Sequence, residues 1–166
     1  MAASTHRRVG QPVPLADGLE KVTGRAVYTH DFELPEMAHA AVVRSPWPHA
    51  EILDVDISMA LKAPGVQAIV SGFHDVERAF LNYGPAFADR FPLARDRVRF
   101  VGEEVAAVAA DTLAQAKAAA KLIEVRYRPL SAAMTVHEAL VEGAPSIHLR
   151  ENLPPNVAQV SRAKFG

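Results

Sequence analysis

No cysteine occurs in the 166 residues. This excludes disulfide frameworks, thiolate metal sites, iron–sulfur ligation and a cysteine nucleophile within the chain. Charge of one sign is also lacking: 18 Lys and Arg against 19 Asp and Glu leave a formal net charge of −1. With no basic surplus to neutralise phosphates, nucleic-acid binding is not expected. No apolar run approaches the ~20 residues that a membrane-spanning helix needs. Residues 1–10 carry His6, Arg7 and Arg8 with no apolar stretch behind them, unlike a signal peptide. A cytoplasmic chain with no membrane partner is the expectation. The glycines form neither GxGxxG nor a P-loop, and no GxSxG elbow is present.

What is present suits one folded domain with tails. The hydrophobic fraction of 49% is enough for a sizeable core. Residues 99–127 are the most informative stretch and read as strand, helix, strand. Phe100, Val101 and residues 105–110 have the small and β-branched composition of a buried strand, interrupted at Gly102 by a bulge or tight turn. Thr112 is placed to cap a helix, with Gln115 three residues on to complete a capping box. Leu113, Ala116 and Ala120 share one helical face. Ile123, Val125 and Tyr127 then alternate with Glu124, Arg126 and Arg128, as in a half-wet strand that Pro129 ends.

Earlier in the chain, residues 25–30 read as a strand. Residues 38–44 read as a second, nearly all apolar and therefore central. In residues 51–57, Leu53, Val55 and Ile57 share one face, with Asp54 and Asp56 on the other. Ser58 is expected to cap a short helix over 59–62, ended by Pro64 and Gly65, and 66–70 is a further strand. Residues 71–91 form a long loop anchored by Phe73, Phe80, Tyr83 and Phe87, a length typical of a contact surface. Residues 135–141 suit a short helix. The predicted class is α+β (mixed α/β), a mixed sheet with two or three helices packed on it.

Catalytic constellations are hard to assemble. Seven histidines include no His-x-His and no HExxH, so they read as surface or core-edge residues. Asp54 and Asp56 could hold a divalent cation, but the alternation around them suits a solvated strand face. Glu103 and Glu104 are adjacent, point apart on a strand and read as surface carboxylates. Ser45 and His49 invite a nucleophile–base reading, but two prolines intervene and no orienting acid is in place. Trp47, the single tryptophan, stands between prolines as an interface anchor or a core cap.

Four ordered stretches carry a family resemblance. The first holds Asp17, Gly18, Lys21, Thr23, Gly24, Tyr28 and Asp31. The second holds Val43, Arg44, Ser45, Pro46, His49 and Ala50. The third runs from Asp56, Ser58 and Ala60 to Pro64, Gly65 and Val66, and the fourth from Pro92 and Leu93 through Asp96, Val98 and Arg99 to Gly102 and Glu103. Together they resemble the α/β-hammerhead domain that opens the molybdenum-binding large subunit of the xanthine dehydrogenase, aldehyde oxidase and carbon monoxide dehydrogenase family. The match covers roughly residues 7–156. Glu36 stands where the family usually has Gly, and Glu104 where Pro is common.

The resemblance implies a non-catalytic structural and assembly domain. The complete enzyme would oxidise an aldehyde, a nitrogen heterocycle or carbon monoxide at a molybdenum–pterin cofactor, passing electrons to [2Fe–2S] clusters and FAD. No catalytic, cofactor or metal residue is assigned to this chain, because the family's pterin-contacting segments and catalytic glutamate lie downstream of Gly166. The expected organisation is a disordered start over 1–8, the hammerhead domain over 9–142, and an extended arm over 143–166 leading toward molybdenum-binding domains. Expected partners are the remaining molybdenum-binding segment of the large subunit and the iron–sulfur and flavin subunits. Ser45, Pro46, Trp47, His49, Phe73, Tyr83 and Phe87 are the interface candidates. The alternatives are a free-standing protein-binding module and a stand-alone enzyme using His49 with nearby carboxylates.

Overall fold

The computed structural model describes residues 12–75, 90–147, 153–157, 159–160 and 163–164. The chain forms two units, Met1–Met37 and Ala38–Gly166.

In the second unit the core is built on the sequence EVAAVAA. This is β5 (Glu104–Ala110), in which Val105, Ala106, Val108 and Ala110 are fully buried. Small and β-branched side chains let both faces of this strand be covered. β5 is the centre of a three-stranded sheet, flanked by β1 (His39–Arg44) and β3 (Val66–Ser71), both antiparallel to it. The expectation that residues 38–44 are central is therefore corrected. β1 is an edge strand with alternating burial, and Val42 is 40% exposed. An apolar run fits either place, and only pairing on both sides distinguishes a centre from an edge.

A second antiparallel sheet has β2 (Ala50–Asp56) at its centre, between β4 (Arg97–Val98) and β6 (Glu124–Pro129). The α+β class is as expected, but the single mixed sheet is two antiparallel ones. In β2 the register shifts between Ile52 and Asp54. One extra residue reverses the facing of everything after it. Ala50, Ile52 and Val55 are buried, and Leu53 is exposed, so the expected shared face of Leu53 and Val55 does not form. Asp54 lies near Arg126 (3.5 Å), and Asp56 accepts from the Ser58 N–H (2.8 Å). This Ser58 contact holds the Asp56 carboxyl below its ordinary range. Ser58 is thus a donor before the 3₁₀ turn Ala60–Lys62, whose N-cap is Met59.

α2 (Leu113–Ala120) is capped by Thr112, whose hydroxyl oxygen accepts the Gln115 N–H (3.2 Å). The Gln115 side chain accepts from the same hydroxyl (2.8 Å), so the return bond to the Thr112 backbone is not made. α2 packs over β1 and β5. Ala116 and Ala119 are its buried residues, and Leu113 is turned outward. Two alanines let the helix backbone approach the sheet closely, a contact that a leucine stripe would hold further away.

Phe100 and Val101 belong to a turn, not a strand, and Val101 is 60% exposed. α3 (Val136–Leu140) is capped by Thr135, which accepts the Glu138 N–H, while Glu138 accepts the Met134 N–H. Asn156, at φ +64°, donates to the carbonyls of Ala139 and Pro145 and accepts from the Ile147 N–H. Part of the stretch after residue 142 is thereby tied back to α3.

The first unit holds α1 (Gly18–Val22) and a 3₁₀ turn, Thr29–Asp31. The strand expected over 25–30 is absent. Asp31 accepts the Tyr28 N–H (2.8 Å) and closes the chain into a turn, whereas a strand needs a paired neighbour. No described residue of this unit is buried. Glu36 sits at φ +59°, in the left-handed region where a Cβ is unfavourable. This is the position at which the resemblance led one to expect Gly.

Candidate functional site

Residues 45–49 connect β1 to β2 and so link the two sheets. Ser45 is buried and fixed by its main chain: its N–H donates to the Glu103 carbonyl (2.9 Å), and its own carbonyl accepts the Gly102 N–H (2.8 Å). Its hydroxyl brackets Trp47, accepting that residue's N–H (3.0 Å) and donating to its carbonyl (3.1 Å). With Pro46 and Pro48 restricting φ on either side, the Trp47 backbone is held on both faces. Trp47 is left 40% exposed.

His49 closes the loop. It is 4% exposed, and its Nδ1 lies 2.6 Å from the Ser131 carbonyl oxygen. A carbonyl can only accept, so Nδ1 carries a hydrogen. Nε2 is buried and meets no hydrogen-bond partner among the described residues. The expectation of a surface or core-edge histidine fails here. Ser45 is committed to Trp47 and His49 to Ser131, so the two do not form a nucleophile–base pair.

The turn opposite this loop contains a group that the sequence pattern misplaces. Glu103 is 5% exposed, not a surface carboxylate. Gly102, at φ +90°, reverses the chain so that the Glu103 carboxylate accepts the Arg99 N–H. The Arg99 guanidinium lies 3.9 Å away. Burial nevertheless dominates and pushes the Glu103 carboxyl up, against the Arg99 contacts, which pull it down. Glu104 faces elsewhere, paired with Arg44 (2.5 Å), which also donates to the Gly102 carbonyl (2.8 Å). The Tyr127 phenol is also pushed up by burial, with the Ser45 side chain pulling the other way.

Phe73 is not brought into the residue 45–49 loop. It packs against the core edge and lines a cleft of about 560 Å³ with Ile52, Phe91, Arg95, Asp96 and Arg99. Arg95 stacks over the Phe91 ring, 4.1 Å from its centroid. Tyr83 and Phe87 lie outside the described residues. Sequence reasoning missed this cleft, and Gly102 was the one signal for the buried Glu103. The Arg95–Phe91 stack has no local period to mark it.

Residues 23–131 match the family model described as "Aldehyde oxidase and xanthine dehydrogenase, a/b hammerhead domain". The chain belongs to that family. It is 40% identical over 137 residues to a probable xanthine dehydrogenase subunit of Bacillus subtilis, covering 82% of this chain and 18% of the relative. It is 35% identical to the nicotinate dehydrogenase large molybdopterin subunit of Eubacterium barkeri, covering 90% and 34%. Among solved structures, quinoline 2-oxidoreductase from Pseudomonas putida 86 superposes with a TM-score of 0.76 at 34% identity, covering 90% of this chain and 20% of that one. Carbon monoxide dehydrogenase from Oligotropha carboxidovorans gives 0.72 at 33%, covering 82% and 17%. The chain thus spans between about a sixth and a third of the length of these four relatives.

Proposed function

We propose that this hammerhead domain is a non-catalytic structural and assembly element of a molybdenum hydroxylase large subunit. The complete enzyme oxidises an aldehyde, a nitrogen heterocycle or carbon monoxide, and passes electrons to iron–sulfur clusters and a flavin in partner domains or subunits. A cytoplasmic location belongs to the same proposal. So does a domain layout of 9–142 for the hammerhead and 143–166 for an arm toward the molybdenum-binding segment.

The [2Fe–2S] clusters do not fit the residues present. No cysteine is available to ligate iron. Among the described residues, no three His, Asp or Glu side chains gather where they could hold a metal ion. Their binding groups are assigned to other parts of the enzyme, and no chemical step is routed through this chain.

The observation that carries the reading is the fixed presentation of Trp47. Ser45 and two prolines hold its backbone, the loop is anchored at both ends by long-range hydrogen bonds, and a large aromatic is left half out of the core. A pre-ordered aromatic of this kind loses little entropy on docking. Ser45, Pro46 and His49 hold the anchor in place. Phe73, with Tyr83 and Phe87, belongs to a second contact region. Trp47→Ala is expected to weaken association with the molybdenum-binding remainder of the large subunit by roughly 30-fold, about 2 kcal/mol. Co-expression of the two pieces followed by titration measures this, and unchanged affinity removes Trp47 as the anchor.

A further inference from the structure

Among the described residues, four polar or charged side chains are buried, and three of them belong to the Trp47 loop or to the turn bonded to it: Ser45, His49 and Glu103. Burying such groups costs free energy, but each admits few partners and so fixes a geometry. Glu103 differs from the other two in carrying a charge. Its carboxylate is turned onto the main chain of its own turn, toward the N–H groups of Arg99 and Phe100.

A short chain of bonds leads from this carboxylate to Trp47. Gly102, at φ +90°, reverses the backbone. The Glu103 N–H returns to the Phe100 carbonyl (3.3 Å), and the Glu103 carboxylate accepts the Arg99 N–H. The turn is thus closed twice, once by main chain and once by side chain. It then offers Ser45 both a donor and an acceptor. The Gly102 N–H donates to the Ser45 carbonyl (2.8 Å), and the Glu103 carbonyl accepts the Ser45 N–H (2.9 Å). The Ser45 hydroxyl in turn accepts the Trp47 N–H and donates to the Trp47 carbonyl.

We infer that Glu103 is the positioning residue of the Trp47 loop. Its carboxylate holds the 99–103 turn in the shape that grips Ser45, and Ser45 passes that shape to Trp47. A carboxylate suits this task, because hydrogen bonds to an ionised acceptor are roughly twice as strong as those to a neutral one. The role of Glu103 in docking rests on Trp47 as the anchor, whereas its hold on the loop does not.

Trp47 is the single tryptophan, so its fluorescence in the full 166-residue chain reports this loop alone. Acrylamide quenching and time-resolved anisotropy are read in the native baseline. Glu103→Ala is expected to raise the quenching constant about twofold and to enlarge the fast component of the anisotropy decay, because a loop without its grip moves on the nanosecond scale. Glu103→Met fills the site with no carboxylate and carries the same expectation if the alanine variant does not fold. Glu103→Gln keeps an acceptor for the Arg99 N–H and is expected to restore most of the wild-type signal. Val55→Ala, a truncation in the buried core of β2, lowers stability without touching the path and is expected to leave the Trp47 signal unchanged. Ser45→Ala removes the bracket directly. Combined with Glu103→Met, it is expected to give clearly less than the sum of the two effects, since both cut one path.

A wild-type signal in a folded Glu103→Met overturns the inference. So does an equal change in Val55→Ala, or full additivity with Ser45→Ala. In the association titration, Glu103→Met is expected to weaken binding about threefold, less than Trp47→Ala, by restoring freedom that docking must remove. A loosened Trp47 with unchanged affinity overturns the docking role and leaves the hold on the loop intact. An unchanged Trp47 signal overturns the hold even where Trp47→Ala weakens association.

Discussion

Residues 12–37 and the unit that follows them are made by the same local chemistry and reach opposite outcomes. Both contain capped turns, glycines at positive φ and short helices. In the second unit, β5 gathers strands from distant parts of the chain and buries Val105 and Val108 completely. In the first, the turns are equally well bonded and nothing among the described residues is buried. Hydrogen bonds between neighbours fix a path, whereas most folding free energy comes from apolar area that distant segments remove from water. The second unit therefore resembles a folded domain, and the first a shaped surface.

The sharpest way to break this comparison is to make the same substitution in both units. At Gly72, an added Cβ would collide with the carbonyl oxygens of Leu93 and Ala94, which are backbone and cannot swing aside. Gly72→Ala is expected to lower the unfolding free energy by about 3 kcal/mol, read from the urea midpoint. At Gly24, φ is +68° but the space is open. Gly24→Ala strains only one local turn, by about 1 kcal/mol, and should leave the midpoint of the second unit unmoved. Equal shifts would show that the two units unfold together.

Glu103 gives a smaller effect with a distinct pH signature. Because burial raises its carboxyl, the folded state holds the proton more tightly than the unfolded chain does. The stabilisation from protonation is full below the unfolded value, near pH 4.5, and is lost as pH rises through the raised folded value. Glu103→Gln keeps an acceptor for the Arg99 N–H and abolishes the titration. It should match wild type at the acidic end and be somewhat more stable near neutrality. Glu103→Ala removes the acceptor and should cost about 1–3 kcal/mol. Denaturation curves from about pH 4 to about pH 8 separate the three proteins.

The smallest effect belongs to the first unit. Glu36→Gly relieves a side chain held at φ +59°. It should slow exchange of amides next to residue 36 by about threefold, within the few tenths to about 1 kcal/mol that such relief supplies. No change in local exchange would mean that this turn carries no strain.

Much of the local structure was legible in order along the chain. The Thr112 cap, the short helix after Thr135, the glycine turns at Gly65 and Gly102, and the helix–strand passage through α2 to β6 all depend on neighbours a few residues apart. The four ordered motifs led to the hammerhead family, whose model matches residues 23–131. The candidate site was legible only in part. The Trp47 loop stood out because two prolines flank the single tryptophan. The buried His49 and the Phe73 cleft did not stand out, since their partners lie up to 82 residues away; the Ser45 bracket is local, but a serine two residues before a tryptophan carries no pattern of its own.

By itself, then, the sequence determined the turns, the caps, the α+β class and the family, because these rest on short-range stereochemistry and on ordered motifs. Tertiary structure alone decided that β5 and not β1 is central, and that a bulge after Ile52 turns Leu53 outward. It alone buried Glu103 and set the His49 ring against the Ser131 carbonyl. Each of these depends on which distant strand or carbonyl comes alongside. Pairing and burial are properties of two segments at once, and the periodicity of either segment alone does not specify them.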